Sequence, residues 1–359
     1  MRRIIPGLTM LLTLSLLLSG CFWTNSEQRY TLYSDSMLGY FNTVITLMAY
    51  TKDQAEFDFF FQLAEERFTE LHRQFDIYNS YPGINNLKTI NDSAGQQPVQ
   101  VEPIIIDMLT LAKQWALEGG KTNVALGPVL KLWRRYREDA NLDPLNADIP
   151  PLMDLQAAAA YTDIGQVIID VEKGTVFLPD SNMSLDVGAI AKGYATEVVV
   201  QELGEAGLQS GAISSGGNVR TLGKPLDGAR ARWAVGIFDP SSSLFDEDRH
   251  LDMVYINDAS VVSSGDYQRY YTVDGIRYHH LIDPETLMPA AHYRAVTVVV
   301  KDSGYADLLS TELFLLPYAE SRRLADSLEG VEAYWVMPDG TVQFTQGLAG
   351  ILRSQGATF

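Results

Sequence analysis

The sequence predicts an α+β fold built from mixed strands and helices. The β-branched and aromatic run Phe41–Tyr50 has the composition of a strand, and apolar residues at helical spacing over Asp53–Phe75 predict an amphipathic helix directly after it. Later strands come as hairpins, such as Gln166–Val171 with Thr175–Leu178. Because hairpins pair antiparallel strands and few βαβ units occur, the pattern favours α+β over a parallel α/β sheet.

Length and composition indicate a folded, acidic globular protein. The chain has 359 residues, of which 46% are hydrophobic and 20% are charged, so it holds enough apolar material for one large domain or two. Its 45 acidic and 27 basic residues give a net charge of −18. Since nucleic-acid binding depends on positive surface charge, this balance argues against a nucleic-acid partner.

The N-terminus has the pattern of an export signal. Arg2 and Arg3 give a basic start, and the apolar run Ile4–Leu18 is too short to span a membrane stably. The run ends in Leu-Ser-Gly-Cys, which resembles the lipobox of bacterial lipoproteins, so we expect Cys21 to carry a lipid. Cys21 is the only cysteine, and no internal disulfide is therefore expected. The alternative is a signal anchor with an incidental cysteine.

The lipobox also predicts how the chain is organised and where it is located. We expect residues 1–20 to be a lipoprotein signal peptide, residues 21–36 a polar tether, and residues 37–359 the folded domain. The lipid would hold the protein at the outer face of a membrane, in the periplasm or at the cell surface.

Loops and helices alternate between the first helix and residue 165. Phe75–Asn91 is a polar loop with interspersed aromatics, a pattern found in ligand-binding walls and, more often, in simple turns. A helix is predicted over Pro103–Leu117, and Lys121–Pro128 leads into another helix near Val129. A proline-rich break at Pro144–Pro151 precedes a short helix, Leu152–Tyr161.

The stretch Met183–Gly223 is the densest in chemically useful features. It reads as a strand, Leu185–Val187, that carries Asp186, followed by a small-residue turn and a helix containing Lys192. A helix start after such a turn presents free N–H groups to an anion such as phosphate. The alternative is an ordinary strand–helix–strand unit whose glycines only permit tight packing.

The remainder is predicted to be mostly strands, with one further helix. The predicted strands are Gly211–Ser214, Trp233–Phe238, Val254–Val262, Tyr270–Val273, Ile276–Leu281, Val296–Lys301, Val331–Met337 and Val342–Thr345, and the helix is Tyr305–Leu316. Ser241–Arg249 is predicted to be a polar loop.

Two groups of residues in this half are candidates for chemistry. Asp307, Ser310 and Thr311 share one helix face, and such oxygen donors suit Mg²⁺. Alternatively, Thr311 bonds back to its own helix and Asp307 stabilises the first turn. His280 follows a strand and is a candidate general base, whereas we expect a structural role for the neighbouring His279.

Taken together, separated motifs in order resemble the ApbE family of FAD:protein FMN transferases over about residues 37–345. The motifs are Phe41–Thr43, the Phe75–Asn91 loop, Lys121–Pro128 followed by Leu-Trp, Asp186–Tyr194, Ser215–Asn218, Ser264–Tyr267, His280–Pro284 and Ala306–Thr311. Each motif is weak alone, and their shared order makes the resemblance specific.

The resemblance implies a single domain, with an active-site cleft between two lobes, that transfers FMN from FAD to a Ser or Thr hydroxyl of an acceptor protein with release of AMP. It implies Mg²⁺ held by Asp307, Thr311 and the carbonyl of Ala189, with Ser310 nearby, and His280 as the base. The implied FAD contacts are Phe41, Tyr78, Lys121, Thr122, Asn123, Asp186, Lys192 and Ile282.

The chain departs from the family pattern at three positions. Phe41 replaces a common methionine, Asn123 replaces a common aspartate, and Leu287 replaces the usual glycine, so we expect a different turn shape there.

The acceptor motif of the family, Asp-Gly-x-Ser/Thr-Gly-Ala-Ser/Thr, is missing: Ile213 follows Ser210-Gly-Ala and no Asp-Gly precedes it. We therefore expect an enzyme that acts on another protein. The alternatives are an FAD pyrophosphatase and a flavin-binding lipoprotein that delivers the cofactor.

Overall fold

A computed structural model describes residues 29–242, 246 and 249–359. The predicted signal peptide, Cys21 and the first part of the predicted tether lie outside the described residues, as do five positions of the predicted loop Ser241–Arg249. Among the described residues, none of the helices combines the length and the apolar composition that crossing a membrane requires.

Helices and strands alternate along the described chain. The helices are α1 (Gln54–Phe75), α2 (Leu87–Asp92), α3 (Pro103–Leu117), α4 (Gly127–Leu142), α5 (Leu152–Ala159), α6 (Ala191–Glu205), α7 (Ser303–Leu315) and α8 (Tyr318–Ser327). The strands are β1 (Thr31–Tyr40), β2 (Thr43–Thr51), β3 (Val99–Gln100), β4 (Ile168–Asp170), β5 (Thr175–Phe177), β6 (Gly211–Ser215), β7 (Asn218–Leu222), β8 (Trp233–Phe238), β9 (His250–Ile256), β10 (Ser260–Gly265), β11 (Tyr270–Val273), β12 (Ile276–His279), β13 (Ala295–Val300), β14 (Glu332–Val336) and β15 (Val342–Phe344).

One large antiparallel sheet forms the centre of the fold. Its eight strands follow the order β1-β2-β6-β7-β10-β13-β14-β15, and every neighbouring pair is antiparallel. This arrangement confirms the predicted α+β class. Because β2 pairs with β6, the long segment between them, which includes α1 to α5, must leave the sheet and return to it.

The main core lies between the sheet and helices α1, α6 and α7. It contains the apolar faces of these helices, among them Phe68 of α1, Val199 of α6 and Leu309 of α7, all almost fully buried. A separate cluster on the β8–β9 ribbon packs around Ile237 and Val254. Apolar burial on both sides therefore holds the sheet between two layers.

A smaller lobe packs apart from the main core. Here α4 and α5 contact the β11–β12 hairpin and the turn that follows it, around Trp133, Tyr271, Ile282 and Leu287. The Trp133 ring lies 6.0 Å from that of Tyr278, and its indole N–H donates to the Leu287 carbonyl at 2.9 Å. The hairpin that delivers His280 is therefore fixed against α4.

The predicted element boundaries hold best for α3, which begins at a proline, and for α1. The predicted helix over Pro103–Leu117 is confirmed to the residue, and α1 begins after Asp53, whose side chain accepts from the Glu56 amide. Helices α2 and α8 were not predicted. The predicted tether is too long, because β1 begins at Thr31 and pairs with β2.

The predicted strand Leu185–Val187 is wrong. These residues are extended, but their backbone does not join a sheet. Leu185 exchanges two bonds with the side chain of Asn91, at 2.7 and 3.0 Å, and the Asp186 amide donates to the Val124 carbonyl at 2.8 Å. Burial alternates along these residues as it does in a strand. Their backbone hydrogen-bond partners, however, are a side chain and a loop carbonyl.

Three non-glycine residues adopt left-handed backbone in turns that the comparison with the family pattern singles out. Phe41 and Asn42 form the tight turn between β1 and β2 with φ of 49° and 53°. Leu287 has φ of 60°, so the residue in the usual glycine position keeps the left-handed conformation that glycine favours. Burial of its side chain offsets the conformational cost.

Helices α6 and α7 approach so closely that only glycine fits at their crossing. A Cβ on Gly193 would lie 2.2 Å from the Ser303 carbonyl oxygen and 2.5 Å from the Asp307 Cβ. Backbone atoms cannot move aside as a flexible side chain can, so the contact requires glycine at this position.

We expect Gly193→Ala to lower the free energy of unfolding by about 3 kcal/mol, because overpacking forces the two helices apart. Gly204→Ala is the matched control on the same helix, since its Cβ would meet only Leu222 at 3.6 Å. This control should be neutral, or stabilising by up to about 1 kcal/mol. Urea denaturation of both variants measures the difference, and equal stabilities would contradict the close approach.

Candidate active site

The carboxylate of Asp307 joins α7 to the start of α6. Asp307 is 5% exposed, and one of its oxygens accepts the Gly193 amide proton at 2.8 Å. The other lies 3.5 Å from the Lys192 ammonium. Burial lowers the pKa of Lys192, and the charge of Asp307 acts to raise it. The negative charge thus lies at the positive end of the α6 dipole.

Hydroxyl groups surround this carboxylate on α7. The Ser310 hydroxyl donates to the Asp307 carbonyl at 2.9 Å and lies 2.8 Å from the Ser264 hydroxyl. The Thr311 hydroxyl lies 3.4 Å from Ser264. Ser310 is therefore the residue that bonds back to its own helix. Thr311 instead bonds to Ser264 at the end of β10. The structural alternative is therefore wrong for Thr311, whereas Asp307 does stabilise a first turn, that of α6 and not that of its own helix.

The donor set near Asp307 has the chemistry of a weakly coordinating magnesium site. Its side-chain donors are the Asp307 carboxylate and the Thr311 hydroxyl, and the predicted third donor, the Ala189 carbonyl, belongs to the turn two residues before α6 begins. In the part of the chain that the structure describes, no group of three or more His, Cys, Asp or Glu residues could hold a metal. Mg²⁺ commonly binds through one or two carboxylates with waters and substrate phosphate, so this set of oxygens fits it.

Two predicted FAD contacts are brought together by an arginine that the sequence analysis did not select. The Arg134 guanidinium donates to the Tyr78 hydroxyl at 2.8 Å, lies over the Tyr78 ring at 4.7 Å, and is 3.5 Å from an Asp186 carboxylate oxygen. The other Asp186 oxygen accepts the Gly188 amide at 3.0 Å. Arg134 therefore connects the Phe75–Asn91 loop to the turn before α6.

A second missed residue, Glu312, positions the predicted segment Lys121–Asn123. Its buried carboxylate accepts the amides of Lys121 at 2.9 Å and Thr122 at 2.7 Å, and the Trp115 indole N–H at 3.1 Å. A signal was available in the sequence: Asp307 and Glu312 are the only charged residues in the apolar run Ser303–Leu315. A charge in such a run is either paired or functional.

The side chains of Lys121, Thr122 and Asn123 point to different partners. The Lys121 ammonium is 3.3 Å from Asp283 and 2.8 Å from Glu285, which connects this segment to the turn after His280. The Thr122 hydroxyl is buried without a hydrogen-bond partner among the described residues. Asn123 accepts the Ala125 amide and donates to the Thr162 carbonyl, so its role in the fold is local.

The two adjacent histidines have different environments. His279 is bonded on both ring nitrogens, to the Ala290 carbonyl at 2.8 Å and the Leu281 amide at 3.2 Å, which confirms the expected structural role. Burial, followed by the charge of Arg269, lowers the pKa of His280 to about 3. Nδ1 of His280 is buried with no partner among the described residues. The His280 imidazole is therefore neutral and able to accept a proton.

Phe41 and Ile282 are the remaining predicted FAD contacts. The amide of Phe41 donates to His72 Nδ1 at 3.3 Å, and the two rings are 5.4 Å apart in an edge-on contact. Ile282 is 3% exposed, and its side chain packs in the core of the smaller lobe. Tyr78 is 49% exposed, so its ring is accessible to a ligand.

We expect Glu312→Ala to destabilise the protein by about 3 kcal/mol, because three donors lose their buried acceptor. Glu312→Gln keeps the shape and should lose about 1 kcal/mol. Both variants should also weaken FAD binding, since the Lys121 segment loses its position. Calorimetric unfolding and FAD titration measure these effects, with the exposed Glu329→Gln as the control. Unfolding at the wild-type temperature with unchanged FAD affinity would contradict this role.

Comparison with known proteins identifies the family of this chain. Its sequence matches the ApbE family over residues 41–335. The FAD:protein FMN transferase of Treponema pallidum is 34% identical over 308 residues, which cover 82% of this chain and 82% of that protein. The FAD:protein FMN transferase of Klebsiella pneumoniae is 31% identical over 313 residues, covering 87% of this chain and 90% of that protein.

Solved structures agree with the sequence matches. The ApbE protein of Thermotoga maritima superposes with a TM-score of 0.75 at 25% identity, covering 89% of this chain and 98% of that one. The flavinyl transferase ApbE of Pseudomonas stutzeri shares the fold, with a TM-score of 0.74 at 24% identity over 92% of this chain and 99% of its own. The chain belongs to the ApbE family.

Proposed function

We propose that this protein transfers FMN from FAD to a Ser or Thr hydroxyl of an acceptor protein and releases AMP. The observation that carries the proposal is the junction of α6 and α7, where Lys192, Asp307 and Thr311 converge at a helix N-terminus. Such a junction suits a pyrophosphate, because the amide groups, the ammonium and a cation on the carboxylate all attract it. The relatives named as FAD:protein FMN transferases support the same reaction.

Asp307, Thr311 and the Ala189 carbonyl would hold Mg²⁺ in this proposal. When bound, Mg²⁺ neutralises phosphate charge and orients the phosphoryl group. The Ser310 hydroxyl is engaged with Ser264 and the helix backbone, so it supports the position of Asp307. Lys192 adds a fixed positive charge beside the same carboxylate.

His280 would take the proton of the acceptor hydroxyl. The hydroxyl oxygen bonds to the FMN phosphorus, the bond from that phosphorus to the AMP oxygen breaks, and the proton moves to the imidazole. The low pKa of His280 keeps the ring neutral, as a base must be. A pyrophosphate anion nearby would raise this pKa and strengthen the base during the reaction.

The lipidated Cys21 would hold the enzyme at the outer face of a membrane, and the acceptor would be a protein there. Because β1 begins at Thr31, ten residues after Cys21, the connecting chain reaches at most about 35 Å when fully extended. The folded domain would then begin within that distance of the membrane surface.

Three outcomes distinguish the functions when purified protein is incubated with FAD, Mg²⁺ and an acceptor domain that carries the family motif. Flavin fluorescence that stays on the acceptor after denaturation supports transfer. Free FMN and AMP without labelling would instead indicate a pyrophosphatase. Tightly bound FAD recovered unchanged would indicate a flavin carrier, and either of these results would overturn the proposal.

We expect Asp307→Ala to lower turnover by about 10²-fold or more and to abolish the dependence of the residual rate on Mg²⁺ concentration. Asp326→Asn, an exposed change on α8, is the matched control and should keep wild-type rates. Acceptor labelling at graded Mg²⁺ concentrations measures both. A variant that keeps its rate and its Mg²⁺ dependence would show that the metal assignment is wrong.

The pH dependence of kcat/KM should lack an ascending limb near pH 6.5. The free protein holds the pKa of His280 at about 3, so the imidazole stays neutral as the pH falls from 8 to 5. His280→Ala should lower kcat by about 10²-fold across this whole range. An ascending limb in the wild-type profile that is lost in the variant would place the pKa near its ordinary value and contradict the burial argument.

A further inference from the structure

Arginines in this protein are nearly always matched with an acceptor when they are partly buried. The matched pairs are Arg67 with Glu70 and Glu202, Arg134 with Asp186, Arg220 with Glu197, Arg230 with Asp227, Arg294 with Asp266, and Arg322 with Asp326, while Arg232 donates to the Thr358 carbonyl. Within residues 29–242, 246 and 249–359, Arg137 is the partly buried arginine with no such partner.

Arg137 lies on the face of α4 that borders the candidate active site. It follows Arg134 by three residues, so the two side chains share one face of the helix. Arg134 is fixed by the Tyr78 hydroxyl and the Asp186 carboxylate, which are both predicted FAD contacts. The free guanidinium of Arg137 is therefore one helical turn from that wall of the cleft.

Arg269 approaches the same place from the β11–β12 hairpin. Tyr270 of β11 is paired with His279 of β12, so Arg269 stands opposite His280 in this antiparallel register. Helix α4 packs against β11 through Trp133 and Tyr271. No carboxylate among the described residues forms an ion pair with Arg269.

These cations act on one another. After burial, the charge of Arg269 is the next cause that lowers the pKa of Arg137, and it also acts to lower the pKa values of Lys192 and His280. Arg137 is partly buried and Arg269 is exposed. Like charges at the edge of a partly buried site repel one another unless an anion joins them.

We propose that Arg137 and Arg269 bind the pyrophosphate of FAD, with Arg134 holding α4 in position. Guanidinium groups present paired N–H donors that match phosphate oxygens. When the acceptor oxygen bonds to the FMN phosphorus, the bond to AMP breaks and the AMP phosphate gains a negative charge. Donors at this point stabilise the leaving group as its charge develops. The inference rests on FAD being the substrate of this protein.

Equilibrium binding without turnover tests the proposal. FAD, ADP and riboflavin are titrated in EDTA into wild-type protein and into Arg137→Gln, Arg269→Gln and the double variant. We expect each single change to weaken FAD and ADP binding at least tenfold, while riboflavin, which has no phosphate, binds as before. Arg135→Gln is the matched control on α4, because Arg135 is exposed and lies over Tyr136.

Thermal unfolding separates this role from a structural one. Removing one of two repelling charges should leave the melting temperature unchanged or raise it. The proposal is overturned if FAD affinity changes less than twofold, if riboflavin weakens as much as FAD, or if only acceptor binding is lost. A wild-type protein that binds neither FAD nor ADP would overturn the flavin transfer proposal itself, and absent acceptor labelling with intact FAD binding would leave this inference standing.

Discussion

The bond between the Asp307 carboxylate and the Gly193 amide is the contact on which the candidate active site depends. It requires glycine, because a Cβ at residue 193 would collide with the backbone of Ser303. It also places a buried negative charge at the positive end of α6 and beside Lys192. The same two helices pack on the central sheet and provide much of its core, so the site is as rigid as the core itself.

A second carboxylate on α7 extends this organisation to the smaller lobe. Glu312 accepts the amides of Lys121 and Thr122, and the Lys121 ammonium then meets Asp283 and Glu285 in the turn after His280. One helix thus holds the metal-binding candidates directly and the turn after the candidate base, His280, indirectly. Because the bonds from the Lys121 and Thr122 amides to Glu312 are at least partly buried, loss of Glu312 leaves these donors unsatisfied where water cannot easily replace it.

The electrostatics of the cleft oppose those of the whole protein. The net charge of −18 repels anions at a distance, whereas Lys192 lies beside Asp307 and the charges of Arg269 and Arg137 act on His280. A dianionic pyrophosphate is therefore attracted only at short range, where the arginines and the α6 terminus act together. Burial, followed by the charge of Arg269, lowers the pKa of His280 and keeps its ring neutral.

The sequence by itself determined the fold class, the bounds of α3, the position of α1 and the choice of most candidate residues. Periodicity and end signals are local, which is why Pro103–Leu117 and the start of α1 after Asp53 agree with the structure. Only the tertiary structure decided what depends on segments far apart in the chain: that Leu185 bonds to Asn91 and joins no strand, that Arg134 connects Tyr78 to Asp186, and that Glu312 positions Lys121. These contacts follow from how helices and loops pack around a common core, and no local pattern of residue types encodes that packing.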